Sequence, residues 1–174
     1  MIALLAVASS SFQLLAPGTV AAPASLSHGA VARSHGVMAK LGVKHFISDL
    51  EFLGPCRFVV AGSGAILEGV GVFENLREGK PGLATVSNDD NSFECHIRLQ
   101  QVCGAQFAKK DTADGRTLHI VRLLGDEKKS VLSAILHPEA DGEVDESAIQ
   151  FWGSLRERFG EDVELVPDEE EDKE

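Results

Sequence analysis

Phe93-Glu94-Cys95-His96-Ile97-Arg98-Leu99 alternates with period two. In an extended chain successive side chains point to opposite faces. Phe93, Cys95, Ile97 and Leu99 therefore share one face, and Glu94, His96 and Arg98 share the other. That is the pattern of a half-buried β-strand with one apolar side. An acid, an imidazole and a guanidinium then stand in a row, each roughly 7 Å from the next. Such a row is either a solvated strand face or a place for an anionic, metal-bearing ligand.

The stretches around it read mostly as further strands. Residues 43–53 come first and are helical: Val43, Phe46, Ile47, Leu50 and Leu53 recur at helical spacing, and Gly54-Pro55 stops the run. Residues 56–61 form a compact β-branched and aromatic run. Gly62-Ser63-Gly64 turns the chain into a second strand over 65–74, where Gly69 and Gly71 predict a bend or the close approach of another element. Gly79-Lys80-Pro81-Gly82 reads as a turn, 83–87 as a short strand and 88–92 as a loop. Beyond Leu99, residues 101–109 start as a turn or brief helix and end extended. Strands at 116–124 and 130–137 are joined at hairpin spacing. The closing helix has Asp145 as its cap, an apolar stripe of Ala148, Ile149, Trp152, Leu155 and Phe159, and Gly160 at its end. The expected architecture is one α+β domain over 43–166. Its sheet is twisted and largely antiparallel, and helices flank it at the N- and C-terminal ends.

The strand at 93–99 resembles the His-x-His-Leu-x-Leu strand of the HutX/ChuX-type intracellular haem-utilisation carriers, whose fold is shared by the HemS-type haem-handling proteins. Further stretches follow the same order. Phe58-Val59-Val60 and Gly64-Ala65-Ile66-Leu67-Glu68 precede it. Leu118-His119-Ile120-Val121-Arg122-Leu123, Ser133-Ala134-Ile135-Leu136 and a helix with Phe151-Trp152 and Leu155-Arg156 come after. The resemblance covers residues 44–160 and extends to short relatives of that family in photosynthetic organisms. It implies haem, or a related tetrapyrrole, as the ligand. His96 would be the axial ligand to iron and Arg98 the partner of a propionate, since guanidinium suits carboxylates. Leu67, Phe73, Leu83 and Phe107 are candidates for the apolar slot. Two departures stand out: Glu94 occupies the place of the first histidine, and the chain has no Tyr, with Leu83-Ala84 where some carriers have one. Weak haem binding, a homodimer that supplies a second ligand, and loss of haem binding all stay open.

Composition narrows the rest. All 27 acids lie beyond residue 48, against 13 of the 16 Lys and Arg, the others being Arg33, Lys40 and Lys44. So acidic a domain repels nucleic acid phosphate and anionic lipid, and neither nucleic acid nor membrane is expected as a partner. The apolar run Ile2–Ala8 falls far short of the roughly 20 residues that span a bilayer. With the small residues and few cations that follow, residues 1–42 read as a cleavable leader directing the protein to a plastid (chloroplast). A plain secretory signal and an untargeted, cytoplasmic N-terminus are its rivals. Residues 167–174 are six acids with one Pro and one Lys, a tail that buries nothing.

Other chemistry finds little support. Cys56, Cys95 and Cys103 are odd in number and make no Cys-x-x-Cys pair. The run Val59–Gly64 lacks the third glycine of a dinucleotide fingerprint, since Leu67 stands there. No zinc spacing or nucleophile elbow occurs. His119 and His137 share strand faces with apolar residues and read as structural. Three functions follow: a non-catalytic haem carrier, a HemS-like haem-degrading enzyme with Glu94 as proton source, and a non-haem interaction module that keeps the fold.

Overall fold

The computed structural model describes residues 40–140 and 142–168. The expected leader, apart from its last three residues, and the end of the acidic tail lie outside them. Among the described residues are ten strands and two helices: β1 Leu41–Gly42, α1 Val43–Asp49, β2 Cys56–Ala61, β3 Ile66–Gly71, β4 Arg77–Lys80, β5 Leu83–Ser87, β6 Glu94–Arg98, β7 Gly104–Asp111, β8 Thr117–Leu124, β9 Ser130–Leu136, α2 Glu146–Phe159 and β10 Asp162–Val166. One seven-stranded sheet runs in the order β1-β10-β7-β8-β9-β2-β3, and a three-stranded sheet runs β4-β5-β6. Every pairing is antiparallel except β1 with β10. This is the α+β architecture the sequence predicts.

The helices form where the apolar stripes place them. Val43, Phe46, Ile47, Leu50 and Leu53 are all fully buried. The helical path breaks after Asp49 into a 3-10 turn over Glu51–Leu53, and Gly54 takes φ +72° to leave it. The N-terminus of α1 is capped from the far end of the chain: Lys44 N donates to Asp168 Oδ2 at 2.7 Å. α2 carries its own cap, with Ser147 N donating to Asp145 Oδ1 at 2.8 Å.

Both helices bury aromatic rings on one face of the large sheet. Phe46 meets Phe107 and Phe159 edge-on, at centroid distances of 6.1 and 5.4 Å. Trp152 packs on Phe107 at 5.7 Å, and its indole N–H donates to Ile120 O. At the other end of this face the small sheet takes over. Phe58 of β2 stacks with Phe73 at 4.8 Å and with Phe93 at 4.6 Å. The two glycines of β3 make room for that joint. A methyl group at Gly71 would stand 2.5 Å from Phe93 Cε1 and closer still to Cγ and Cδ1. Gly69 lies under the same ring. The close approach expected from these glycines is the seat of Phe93.

Several elements differ from expectation. β3 ends at Gly71 rather than 74, because Val72 N turns to the side chain of Asn88. Residues 79–80, expected in a turn, close strand β4, which pairs with β5 across a bulge. β10 follows α2 and draws β1 to its far side, and neither strand was anticipated.

Candidate functional site

The outer face of β6 carries Glu94, His96 and Arg98, all exposed, while Ile97 is buried behind them. The alternation read from sequence is the one observed. Register then decides what each of the three can do, because directly opposed residues of an antiparallel pair point to the same side. Glu94 lies opposite Ser87, His96 opposite Thr85 and Arg98 opposite Leu83. One strand further, Arg77 lies opposite Thr85 and Lys80 opposite Leu83.

The three residues have different fates. Glu94 is ion-paired with Arg77, whose Nη1 also donates to Ser87 Oγ at 2.9 Å. Its carboxylate is drawn toward Arg77 on β4. The imidazole of His96 is fixed by the buried hydroxyl of Thr85, with Oγ1 and Nδ1 2.8 Å apart. When Nδ1 is protonated it donates to Thr85, and Nε2 then carries the free lone pair. That is the arrangement in which a histidine is oriented to ligate a metal, its second nitrogen held by a neighbour. Arg98 makes no ion pair among the described residues, and neither does Lys80. The two cations flank half-buried Leu83 from opposite sides.

The face can therefore offer one nitrogen ligand beside two cations without an ion pair among the described residues. Its chemistry suits a metal-bearing ligand with carboxylate groups. The apolar slot is another matter. Of the four residues expected to line it, only Leu83 belongs to this face. Phe73 and Phe107 are core residues, 1% and 0% exposed, and Leu67 stands on β3 at 73% exposure. They do not converge. Thr85, Lys80 and Arg77 are the contributors that sequence reasoning missed, because each is brought beside His96, Arg98 or Glu94 only through strand register.

The remaining histidines are placed otherwise. His45 is exposed and lies 3.7 Å from Asp49 in the same helix. His119 is 7% exposed, its ring edge-on to Trp152 at 5.0 Å. Burial first, and Lys109 second, push its imidazole below the usual histidine range. Its Nδ1 is buried without a hydrogen-bond partner. His137 is half-buried beside the Pro55 carbonyl, which accepts from its backbone N–H. Two concavities lie away from β6. One, of about 430 Å³, sits between α1 and α2 around Phe52, Phe151 and Arg158. The other, of about 350 Å³, lies beside Lys109, Trp152 and Arg156.

No protein-family model matches the sequence, and no curated protein matches it significantly. Solved structures do match. A protein from Agrobacterium tumefaciens superposes with a TM-score of 0.57 at 16% identity, over 66% of this chain and 64% of its own. The heme-binding protein ChuX gives 0.57 at 12% identity, over 67% of this chain and 71% of ChuX. The heme-degrading enzyme ChuS of Escherichia coli O157:H7 gives 0.53 at 20% identity, over 67% of this chain and 32% of ChuS. The matched region thus spans about two thirds of the first two chains and one third of ChuS. At these identities the likeness is one of fold, and the domain described here has the ChuX-type fold.

Proposed function

We propose that the protein binds haem or a related tetrapyrrole and carries it, with His96 as a ligand to the iron and Arg98 as a propionate partner. One observation carries this reading. The imidazole of His96 is oriented through Nδ1 by Thr85, with the cations Arg98 and Lys80 on the same sheet face. Bound haem would supply an iron atom that accepts the Nε2 lone pair, and two carboxylates for the cations. The shared fold supports the class of ligand, since ChuX binds heme and ChuS degrades it.

A carrier is favoured over an enzyme by the state of Glu94. It is the acid nearest His96 on the strand, and its ion pair with Arg77 withholds it from proton delivery. The acid-free N-terminal residues further support delivery to a plastid. A fusion of residues 1–44 to a fluorescent protein then reaches the plastid of an algal host. Diffuse cytosolic fluorescence contradicts this, and secretion indicates a signal peptide alone.

The test of function is hemin titrated into the full chain with the visible spectrum recorded. A sharpened Soret band is expected. Reductant and oxygen added afterwards leave a carrier's haem spectrum in place, whereas an enzyme bleaches it beyond a free-hemin control. An unchanged spectrum on titration would leave the chain as an interaction module that keeps the fold.

A further inference from the structure

Phe52 stands where the first helical segment gives out. The stripe Val43, Phe46, Ile47, Leu50 and Leu53 is buried in the core, and the 3-10 turn over Glu51–Leu53 leaves Phe52 73% exposed. Among the described residues it is the one exposed large apolar side chain outside the β2–β3 hairpin. Its ring neighbour is half-buried Phe151 of α2, with centroids 6.0 Å apart and ring planes at 86°. The two rings are perpendicular walls of the cavity of about 430 Å³ between α1 and α2.

The charged part of the lining is net acidic, with Asp49 and Glu51 against one cation, Arg158. Arg158 is already committed. Its Nη1 lies 3.2 Å from Asp49 Oδ1, and its guanidinium stands 4.6 Å over the Phe159 ring. Asp49 Oδ2 is buried without a hydrogen-bond partner, and His45 Nε2, 3.7 Å away, pairs with it only when protonated. Glu51 is exposed and makes no ion pair among the described residues. The cavity thus joins two aromatic walls to negative charge that the protein's own cations leave partly unanswered.

We propose that this cavity binds a small molecule carrying a quaternary, methylated ammonium group, with the cation against the rings of Phe52 and Phe151 and its charge balanced by Asp49 and Glu51. An aromatic ring is negative on its faces and attracts a cation set over them. A quaternary nitrogen spreads its charge over methyl groups and has no N–H to satisfy, so it suits hydrocarbon walls that offer no acceptor. A primary ammonium is compact and strongly hydrated and brings three donors, which these walls cannot serve. Anions are turned away by the two acids. The cavity lies away from β6, so the inference is independent of haem binding.

The test is choline titrated into the full chain to about 50 mM, enough to saturate a millimolar site, with amide NMR spectra recorded at constant ionic strength. Saturable shifts are expected at residues 49–52 and 151–154. The uncharged isostere of choline, with carbon in place of nitrogen, keeps the shape and loses the charge, and should bind about tenfold more weakly. Phe52→Leu keeps an apolar side chain but removes the ring face, and should weaken choline binding about threefold. Phe52 is exposed, so this variant keeps the fold. Spectra that choline leaves unchanged overturn the proposal. So does equal binding of the uncharged isostere, which would mark a plain apolar groove, or parent-like choline binding by Phe52→Leu.

Discussion

Gly71→Ala puts one methyl group where Phe93 already sits. The ideal Cβ lies 2.5 Å from Phe93 Cε1 and nearer to two other ring atoms, so the ring must move or β3 must. Gly71 has no left-handed backbone angle, so conformation itself favours Ala over Gly in a strand by about 0.5–1 kcal/mol. Against that stand the strain of overpacking, about 1–3 kcal/mol, and the loosened Phe58–Phe93 ring pair, about 0.5–1.5 kcal/mol. The net expectation is a loss of about 2 kcal/mol in urea melts. Gly69→Ala is the control, since its methyl would stand 3.4 Å from the same ring and should cost under about 1 kcal/mol. The ring is the named cause, so removing it should remove the effect: in a Phe93→Ala background, Gly71→Ala should cost nothing or stabilise. Melts of Gly71→Ala that overlay the parent would refute the reasoning. Equal costs with and without Phe93 would show that the joint between the sheets is made elsewhere.

Other consequences can be checked on the same protein. Trp152→Ala removes a ring packed on Phe107 and His119 and should cost about 3–5 kcal/mol in denaturant melts, with a loss below about 1 kcal/mol contradicting its core position. His119 has a lowered pKa in the folded state, so the unfolded chain takes up a proton that the folded one refuses. Stability should therefore fall as pH drops through the ordinary histidine value of 6.5, and His119→Leu should flatten that part of the curve. Burial pushes the Cys56 thiol up to about 12, whereas Cys103 is exposed. A thiol reagent at mildly alkaline pH should label Cys103 first and Cys56 only on unfolding, and equal rates would contradict the packing of β2.

The parts of the fold that were legible in the sequence are those with an apolar period. α1, α2, β2 and β9 each bury one stripe or face, β5 and β8 are buried over consecutive residues, and their residues announce it. β4 does not: Arg77, Glu78, Gly79 and Lys80 are all exposed, and only backbone pairing with β5 makes them a strand. β1 is two residues long, and β10 alternates over only five, too short a signal after a helix. The site divides in the same way. The shared face of Glu94, His96 and Arg98 follows from period two alone. That Thr85 holds His96, that Arg77 holds Glu94 and that Lys80 joins Arg98 depends on register, which a single strand does not encode. The expected apolar slot failed for that reason: Leu67, Phe73 and Phe107 are apolar, but they belong to other elements that pack elsewhere.

Hemin binding across a set of histidine variants tests the central claim most directly. If His96 ligates the iron, His96→Ala shifts the Soret band and weakens binding at least tenfold, about 1.4 kcal/mol or more. Arg98→Ala weakens binding less and leaves the iron spectrum nearly unchanged, because a propionate partner does not touch the metal. His119→Ala and His137→Ala bind as the parent does. Parent-like hemin binding by His96→Ala, with loss in His119→Ala, would contradict the account.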